Sequence, residues 1–142
     1  MDNNEIKAPK FRFTDYIISE TSVGIKSKAI SDDFRLSIQP TGELVKDKNL
    51  LKITLNVAIK DANENIEIRF TIIGSFEYEA ESLEELVPYI IVNGPAILFP
   101  YLRAFVSNIT ALSGCNPVIM PTYNMIGVGE KLLENMKAKL DL

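Results

Sequence analysis

Histidine is absent from the sequence, and cysteine occurs only once among its 142 residues. Without histidine, the chain cannot form a Ser-His or Cys-His nucleophile pair or a histidine-ligated metal site. An enzyme would have to work with carboxylates, lysines or tyrosines alone. One cysteine cannot form an internal disulfide, which favours a reducing compartment. We therefore predict a protein that is not an enzyme, with no catalytic residues, no metal and no cofactor.

Concentrated positive charge is also missing. The formal net charge is -4, and lysine and arginine form no cluster longer than a pair. Nucleic acids and anionic membranes both require dense positive charge, so we expect neither as a partner. The opening segment, MDNNEIKAPK, has no apolar run of the kind found in secretory signals, which predicts a cytoplasmic protein. The length fits one domain spanning residues 1–142.

One apolar segment stands out, NGPAILFPYLRAFVSNITALSGCNPVIMPTYNM at residues 93–125. It contains a single charged residue, Arg103, and four prolines. A membrane span needs about 20 consecutive, mostly apolar residues, and this segment is too interrupted for that. We expect part of it to pack in a helical core and part of it to line a surface that holds other proteins.

Period-two alternation of apolar residues predicts four strands in the first half of the chain. They lie at FRFTDYII, FRLSI, LKITLNVAIK and IEIRFTIIGSFEYE. The alternation shifts phase near Thr14 and Asp15, which predicts a β-bulge, and Gly74 suggests a bend or a bulge. Short connections predict an antiparallel meander with one apolar face, which another layer must cover.

Helices in the second half supply that cover. Ser82 and Glu85 form a capping box at the start of a short helix, which the Asn-Gly pair at 93–94 interrupts. A longer helix follows, kinked at Pro100 and ended by Gly114. The last helix runs from about 125 to 140, and glycines weaken its first turn, so it could hinge.

The predicted fold class is α+β, with a four-stranded antiparallel sheet followed by a long kinked helix and a shorter C-terminal helix. These helices carry apolar residues on more than one side, and a single sheet face cannot cover them all. Self-association is therefore expected, with a symmetric dimer as the simplest form.

The apolar segment resembles the SecB family of cytoplasmic export chaperones. The matching pattern consists of Pro95, Ile97-Leu98-Phe99-Pro100-Tyr101, Arg103, Gly114, Pro117, Pro121 and Asn124. This match covers about a quarter of the chain, and the order of strands and helices extends it over nearly all of it. The resemblance implies a homotetramer, built as a dimer of dimers, that binds unfolded or precursor polypeptides without ATP.

The resemblance also implies roles for particular residues. The long helix would contribute the oligomer interface, through Leu98, Tyr101, Leu102, Phe105 and Ile109. The connector, the last helix and the end of the sheet would border a client-binding groove, with Phe76, Tyr78, Ile119, Met120, Tyr123, Met125, Leu132, Leu133 and Met136. Exposed, adaptable apolar side chains suit the holding of non-native chains. The alternative for each groove residue is ordinary core packing.

The sequence does not decide between several further partners. In export-type members, acidic residues on the outer sheet face dock a translocation motor; Glu20 matches one such position, whereas Gly24 and Arg69 occupy two others. Alternatives are a dedicated chaperone of an antitoxin and a small apolar-ligand carrier. We expect Arg103 to form an ion pair with a carboxylate of the sheet or of a partner subunit, and Cys115 to be a structural thiol.

Overall fold

The computed structural model describes residues 10–140. The first nine residues, to which the prediction about a secretory signal mostly refers, lie outside the described residues. Four strands form one antiparallel sheet, in the order β1-β4-β3-β2. Their bounds are Phe11–Ile25 for β1, Phe34–Val45 for β2, Leu50–Asp61 for β3 and Ile66–Tyr78 for β4.

The prediction of a simple meander was wrong for β1. Strands β2, β3 and β4 follow one another, but β1 pairs with β4 instead of β2. The reason lies in the segment 26–33, which is fixed on the turn between β3 and β4. Asp61 Oδ2 accepts a hydrogen bond from the Ser31 N–H at 3.0 Å, and Asn65 Nδ2 donates to the Ala29 carbonyl at 2.7 Å. These long-range contacts carry β2 to the far edge of the sheet.

Asp61 is buried, and its carboxylate accepts several backbone hydrogen bonds. Oδ1 accepts from the N–H groups of Asn65 and Ile66 at 2.8 and 2.9 Å, in addition to the bond between Oδ2 and Ser31. Burial raises the pKa of this carboxyl, but the backbone N–H groups outweigh burial, and the net pKa lies below its ordinary value. The charged form of Asp61 therefore stabilises the folded state.

One face of the sheet forms the core, as the alternation predicted. On β3, the residues from Leu51 to Ile59 in every second position are at most 3% exposed. The predicted bulge in β1 is confirmed, since the register with β4 shifts between Phe13 and Asp15. Gly74, however, causes no shift in register. It makes room for the helix above it, because a Cβ there would lie 2.6 Å from Leu98 Cδ2.

The two predicted helices before residue 113 form one continuous helix, α1, at Leu83–Leu112. Ser82 caps it as predicted, since its hydroxyl accepts a hydrogen bond from the Glu85 N–H. The Asn-Gly pair does not end the helix; instead Tyr89–Asn93 forms a π-helical turn. Gly94 lets this turn lie against the sheet, because a Cβ at this position would meet Ile53 Cδ1. The helix also continues through Pro100.

By length and composition, α1 could cross a membrane, with a mean hydropathy of 1.4 over its most apolar window. Its packing supplies another reason for that hydropathy. Leu98, Leu102 and Val106 are 0% exposed, with the sheet beneath them. Core packing thus accounts for part of the apolar character of α1, and the rest lies on exposed faces of the helix.

The C-terminal helix, α2, spans Ile126–Lys139 and lies against β2 and the π-helical turn of α1. Asn135 Nδ2 donates to the Pro40 carbonyl of β2 at 2.8 Å. The expectation that its glycines form a hinge was wrong for Gly129, which is buried where a Cβ would collide with the backbone of Ile91. Gly129 therefore allows close crossing of two helices, whereas a Cβ on Gly127 would meet nothing within 4 Å.

Candidate functional site

An open apolar groove of about 700 Å³ runs between one face of α1 and the connector that joins it to α2. We call it the connector groove. Its helix wall comprises Val92, Ala96, Phe99, Pro100, Arg103, Ala104 and Ser107. Its connector wall comprises Ile119, Thr122, Tyr123, Asn124, Met125 and Ile126.

The helix wall is concave because the side chains in one of its rows are short. Ala96, Pro100 and Ala104 follow one another at intervals of four residues, so they lie in one row along α1. Pro100 has no backbone N–H, so the carbonyl of Ala96 lacks the helical hydrogen bond that residue 100 would normally donate. The row therefore presents a shallow apolar floor.

Two hydroxyl groups of α1 hold the connector in place. Ser107 Oγ donates to the Val118 carbonyl at 2.7 Å, and Thr110 Oγ1 accepts from the Val118 N–H at 2.9 Å. Val118 and Met120 point inward and are buried. Because an extended chain alternates its side chains, Ile119 between them points outward and is 69% exposed. The connector therefore presents Ile119 to solvent, next to a backbone position that two hydrogen bonds hold at Val118.

Tyr123 closes the other end of the connector wall. Its ring packs edge-on against Phe99, with ring centroids 5.9 Å apart, and the residue is still 37% exposed. Asn124 Oδ1 accepts a hydrogen bond from the Ile126 N–H at 3.0 Å, which fixes the start of α2. The aromatic wall and the helix start thus have a defined geometry without a ligand.

The residues predicted for a client groove fall into two groups within the single subunit. Ile119, Tyr123 and Met125 line the connector groove, although Met125 is only 5% exposed. Leu133 is half-buried and packs against the core. The others are buried in the core of this chain, and they are Phe76, Tyr78, Met120, Leu132 and Met136. Their assignment to a client groove stays a prediction.

The residues predicted for the oligomer interface divide in the same way. Leu98 and Leu102 are fully buried against the protein's own sheet. Tyr101 is 37% exposed and packs against Tyr16 of β1, with ring centroids 4.4 Å apart and the ring planes tilted by 36°. Phe105 and Ile109 are half-buried and continue this second face of α1. The assignment of these residues to an oligomer interface stays a prediction.

Arg103 lies in the groove wall and is half-buried. Among residues 10–140, no carboxylate lies within 4.0 Å of its guanidinium, so the expected ion pair with the protein's own sheet is not formed. Sequence reasoning had noticed Arg103 but had not placed it in the groove. The feature of the sequence that could have placed Arg103 in the groove is the row of short side chains beside it, spaced four residues apart.

Two further predicted residues lie elsewhere. Glu20 is exposed at a second register shift in β1, with a positive φ of 51°. It borders a shallow polar hollow on the outer sheet face, near Arg69, which forms an ion pair with Glu67 at 2.7 Å. Cys115 is buried with a free thiol, in agreement with a structural role.

The sequence of this chain is similar to known proteins. The family model for preprotein translocase subunit SecB matches residues 25–128, which include both walls of the connector groove. A protein-export protein SecB from Anaplasma phagocytophilum is 27% identical over 90 residues, which cover 59% of this chain and 57% of that protein. An uncharacterized protein of Methanocaldococcus jannaschii is 29% identical over 82% of this chain and 81% of its own length.

Among solved structures, the fold matches the SecB-like chaperone Rv1957 of Mycobacterium tuberculosis, which was solved with a ChAD peptide from the HigA1 antitoxin Rv1956. The TM-score is 0.67 at 15% identity, and the match covers 80% of this chain and 88% of that one. The predicted fold, a four-stranded sheet followed by a long and a shorter helix, is confirmed. Because the family model covers most of the chain and the fold agrees with it, this protein belongs to the SecB family.

Proposed function

We propose that this protein is an ATP-independent chaperone that holds unfolded or precursor polypeptides in the connector groove. The observation that supports this most is the display of exposed apolar side chains, Ile119 and Tyr123 above all, on an open surface. A ligand that prefers the unfolded state lowers the concentration of free unfolded chain and so delays aggregation. No covalent step is involved, in keeping with a family of chaperones.

Extended clients suit this groove better than a small apolar ligand does. Most of the lining side chains are exposed along the helix and connector, so the site is a surface groove rather than an enclosed cavity. An extended segment can place successive apolar side chains along such a groove.

We further propose that the working form is a homotetramer, a dimer of dimers. The second face of α1, defined by Tyr101, Phe105 and Ile109, ends at Leu112, which is 88% exposed. Strand β1 is a long edge of the sheet, and Ile17 on it is 59% exposed. Exposed apolar residues and an unpaired strand edge are typical of surfaces that associate.

Motor docking receives less support from this chain. The outer face around Glu20 carries Arg69 and Glu67 side by side, so its charge is mixed. A basic partner needs a coherent acidic surface. Client holding, rather than motor docking, is therefore the function we propose, and we propose the cytoplasm as its location, where Cys115 stays reduced.

A second candidate is a dedicated antitoxin chaperone, because the SecB-like structure of matching fold was solved with an antitoxin peptide. Toxin and antitoxin genes beside the gene for this protein would favour this candidate. Selective rescue of that antitoxin from aggregation, with no effect on unrelated unfolded clients, would establish it.

Aggregation of a reduced, unfolded client, followed by light scattering, tests the main proposal together with the native mass of the protein. We expect near-complete suppression at a tetramer-to-client ratio of about one. Tyr123→Asp should weaken suppression severalfold, because the added charge must lose its water when an apolar client segment covers it, while the native mass stays unchanged. A monomer that leaves aggregation unaltered contradicts the proposal.

A further inference from the structure

The connector between α1 and α2 has few hydrogen bonds to the rest of the protein. Pro117 and Pro121 have no backbone N–H, and the residues before them are restricted to extended conformations. Across residues 116–123, the described part of the chain forms two hydrogen bonds with the connector backbone, and both are at Val118. The position of this extended segment along α1 therefore depends on the hydrogen bonds of one residue.

Both of these hydrogen bonds come from one side of α1. Ser107 Oγ donates to the Val118 carbonyl at 2.7 Å, and Thr110 Oγ1 accepts from the Val118 N–H at 2.9 Å. Residues three apart in a helix lie on the same side of it, so the two hydroxyls reach the same residue of the connector. Thr110 is 0% exposed and Val118 is 4% exposed, so the bond between them is shielded from water.

The hydroxyl of Thr110 has a fixed direction. Its proton is donated to the carbonyls of Val106 and Ser107, at 2.9 and 3.1 Å, which leaves a lone pair of Oγ1 for the N–H of Val118. The backbone of α1 thus orients the acceptor that the connector uses. Valine has the same shape as threonine but no oxygen, and a buried N–H without a partner loses its hydration without compensation.

The register of the connector decides which of its side chains line the groove. Side chains of an extended segment alternate between its two sides, so a shift by one residue exchanges the inward and outward sets. In the observed register, Val118 and Met120 are 4% and 1% exposed, whereas Ile119 is 69% exposed and lines the connector groove. Ile119 therefore lines the groove only while Val118 keeps its place on α1.

We infer that Thr110 is a positioning residue of the connector groove. Its hydroxyl sets the register of the connector at Val118 and so keeps Ile119 on the outer side, where a client segment contacts it. Ser107 assists by binding the carbonyl of the same residue. The effect on clients rests on the proposed chaperone function, whereas the effect on the connector does not.

The single cysteine of the chain reports on the connector. Cys115 lies at its start, the thiol is buried, and its N–H donates to the Thr110 carbonyl at 3.1 Å. Thr110→Val should increase the rate at which a disulfide reagent labels Cys115 in the intact protein about tenfold, because the connector leaves α1 more often. Low concentrations of urea should barely change this rate, since local release exposes little surface and global unfolding exposes much.

Client binding is measured on the same variants by fluorescence anisotropy of a fluorescein-labelled, extended apolar peptide. Thr110→Val should weaken the affinity about two- to threefold, because a smaller fraction of the protein has the competent groove. Thr110→Ser keeps the hydroxyl and should resemble wild type in both measurements. Ser113→Ala is a matched control, because that hydroxyl binds the Ile109 carbonyl within α1, and it should change neither measurement.

Each other outcome contradicts a defined part. Wild-type labelling in Thr110→Val, or equal effects of Thr110→Val and Thr110→Ser, overturns the role of the hydroxyl. Faster labelling with unchanged peptide affinity overturns the positioning role and leaves the chaperone function standing. Failure of wild type to bind the peptide or to suppress aggregation overturns the proposed function, and the labelling rates then still decide whether Thr110 holds the connector.

Discussion

The inner and outer sides of α1 and its connector differ although both contain apolar residues. On the inner side, Leu102 and Met120 are 0% and 1% exposed. On the outer side, Val92 and Ile119 are 50% and 69% exposed. Composition does not separate these residues, because all four are apolar. The difference shows that hydrophobicity sets how much surface must be covered, whereas backbone geometry decides which residues are covered by the protein itself and which stay available.

The largest expected effect comes from placing a charge on each side of the connector. Met120→Asp should lower the free energy of unfolding by more than about 4 kcal/mol, because an unpaired carboxylate would replace a buried side chain. Ile119→Asp, one residue earlier, should change it by less than about 0.5 kcal/mol and weaken client binding instead. Urea unfolding and the aggregation assay measure the two effects. Similar stability of both variants would contradict the division into two sides.

Replacement of apolar side chains of α1 by alanine should give the next largest difference in the free energy of unfolding. Leu102→Ala should cost about 2–5 kcal/mol, since it leaves a cavity above the sheet. Val92→Ala on the groove side should cost less than about 1 kcal/mol, because the side chain is half in solvent. The measurement is the midpoint of urea unfolding, compared between variants whose unfolding free energy depends on urea concentration with the same slope. A large loss for Val92→Ala would mean that the groove is covered in the working form.

Two glycines of α2, near the connector groove, compare a position with open space around it and a position packed against another helix. Gly129→Ala should destabilise the protein by about 1–3 kcal/mol, because the new Cβ would push α2 away from the backbone of Ile91. Gly127→Ala should stabilise it by about 0.5–1 kcal/mol, because space is open there and alanine favours the helix. Thermal unfolding measures both variants. Equal shifts in melting temperature would contradict the close approach of α2 to the backbone of Ile91.

The smallest effect concerns Asp61, whose network stabilises the sheet away from the groove lining. Its folded-state pKa lies below the ordinary 3.8, so its contribution is complete above that pH and is lost as the pH falls through the folded pKa. Asp61→Asn should cost about 1–2 kcal/mol at neutral pH and remove this part of the acid dependence, because the amide cannot accept the Ser31 N–H on its nitrogen side. Urea unfolding at neutral and acidic pH checks this. Peptide binding should stay unchanged, and an altered affinity would show that the groove depends on this turn.

The sequence was sufficient for several local features. Alternation located all four strands, and the capping box located the start of α1 at Ser82. The phase change in β1 located the bulge after Phe13. Each of these signals depends on neighbouring residues only, which is why periodicity and capping rules detect it.

Features that depend on distant residues were missed. The pairing of β1 with β4 depends on contacts of Asp61 and Asn65 with residues 29–31, and no local pattern reveals a contact between segments some 30 residues apart. The predictions of a bend or bulge at Gly74 and of a hinge at Gly129 miss their neighbours, Leu98 and Ile91, which lie on other elements. The groove likewise needs the hydroxyls of Ser107 and Thr110, which fix the connector at Val118.

By itself, the sequence determined that this protein has an antiparallel sheet, a long apolar helix and more apolar surface than one sheet face can bury. The tertiary structure decided which part of that surface stays open. Hydrogen bonds from α1 to Val118 hold the connector extended, so alternate side chains turn toward the core and toward solvent. Arg103 and Ile119 meet in one groove because a helix face and a connector pack together, and residue spacing along the chain does not encode that packing.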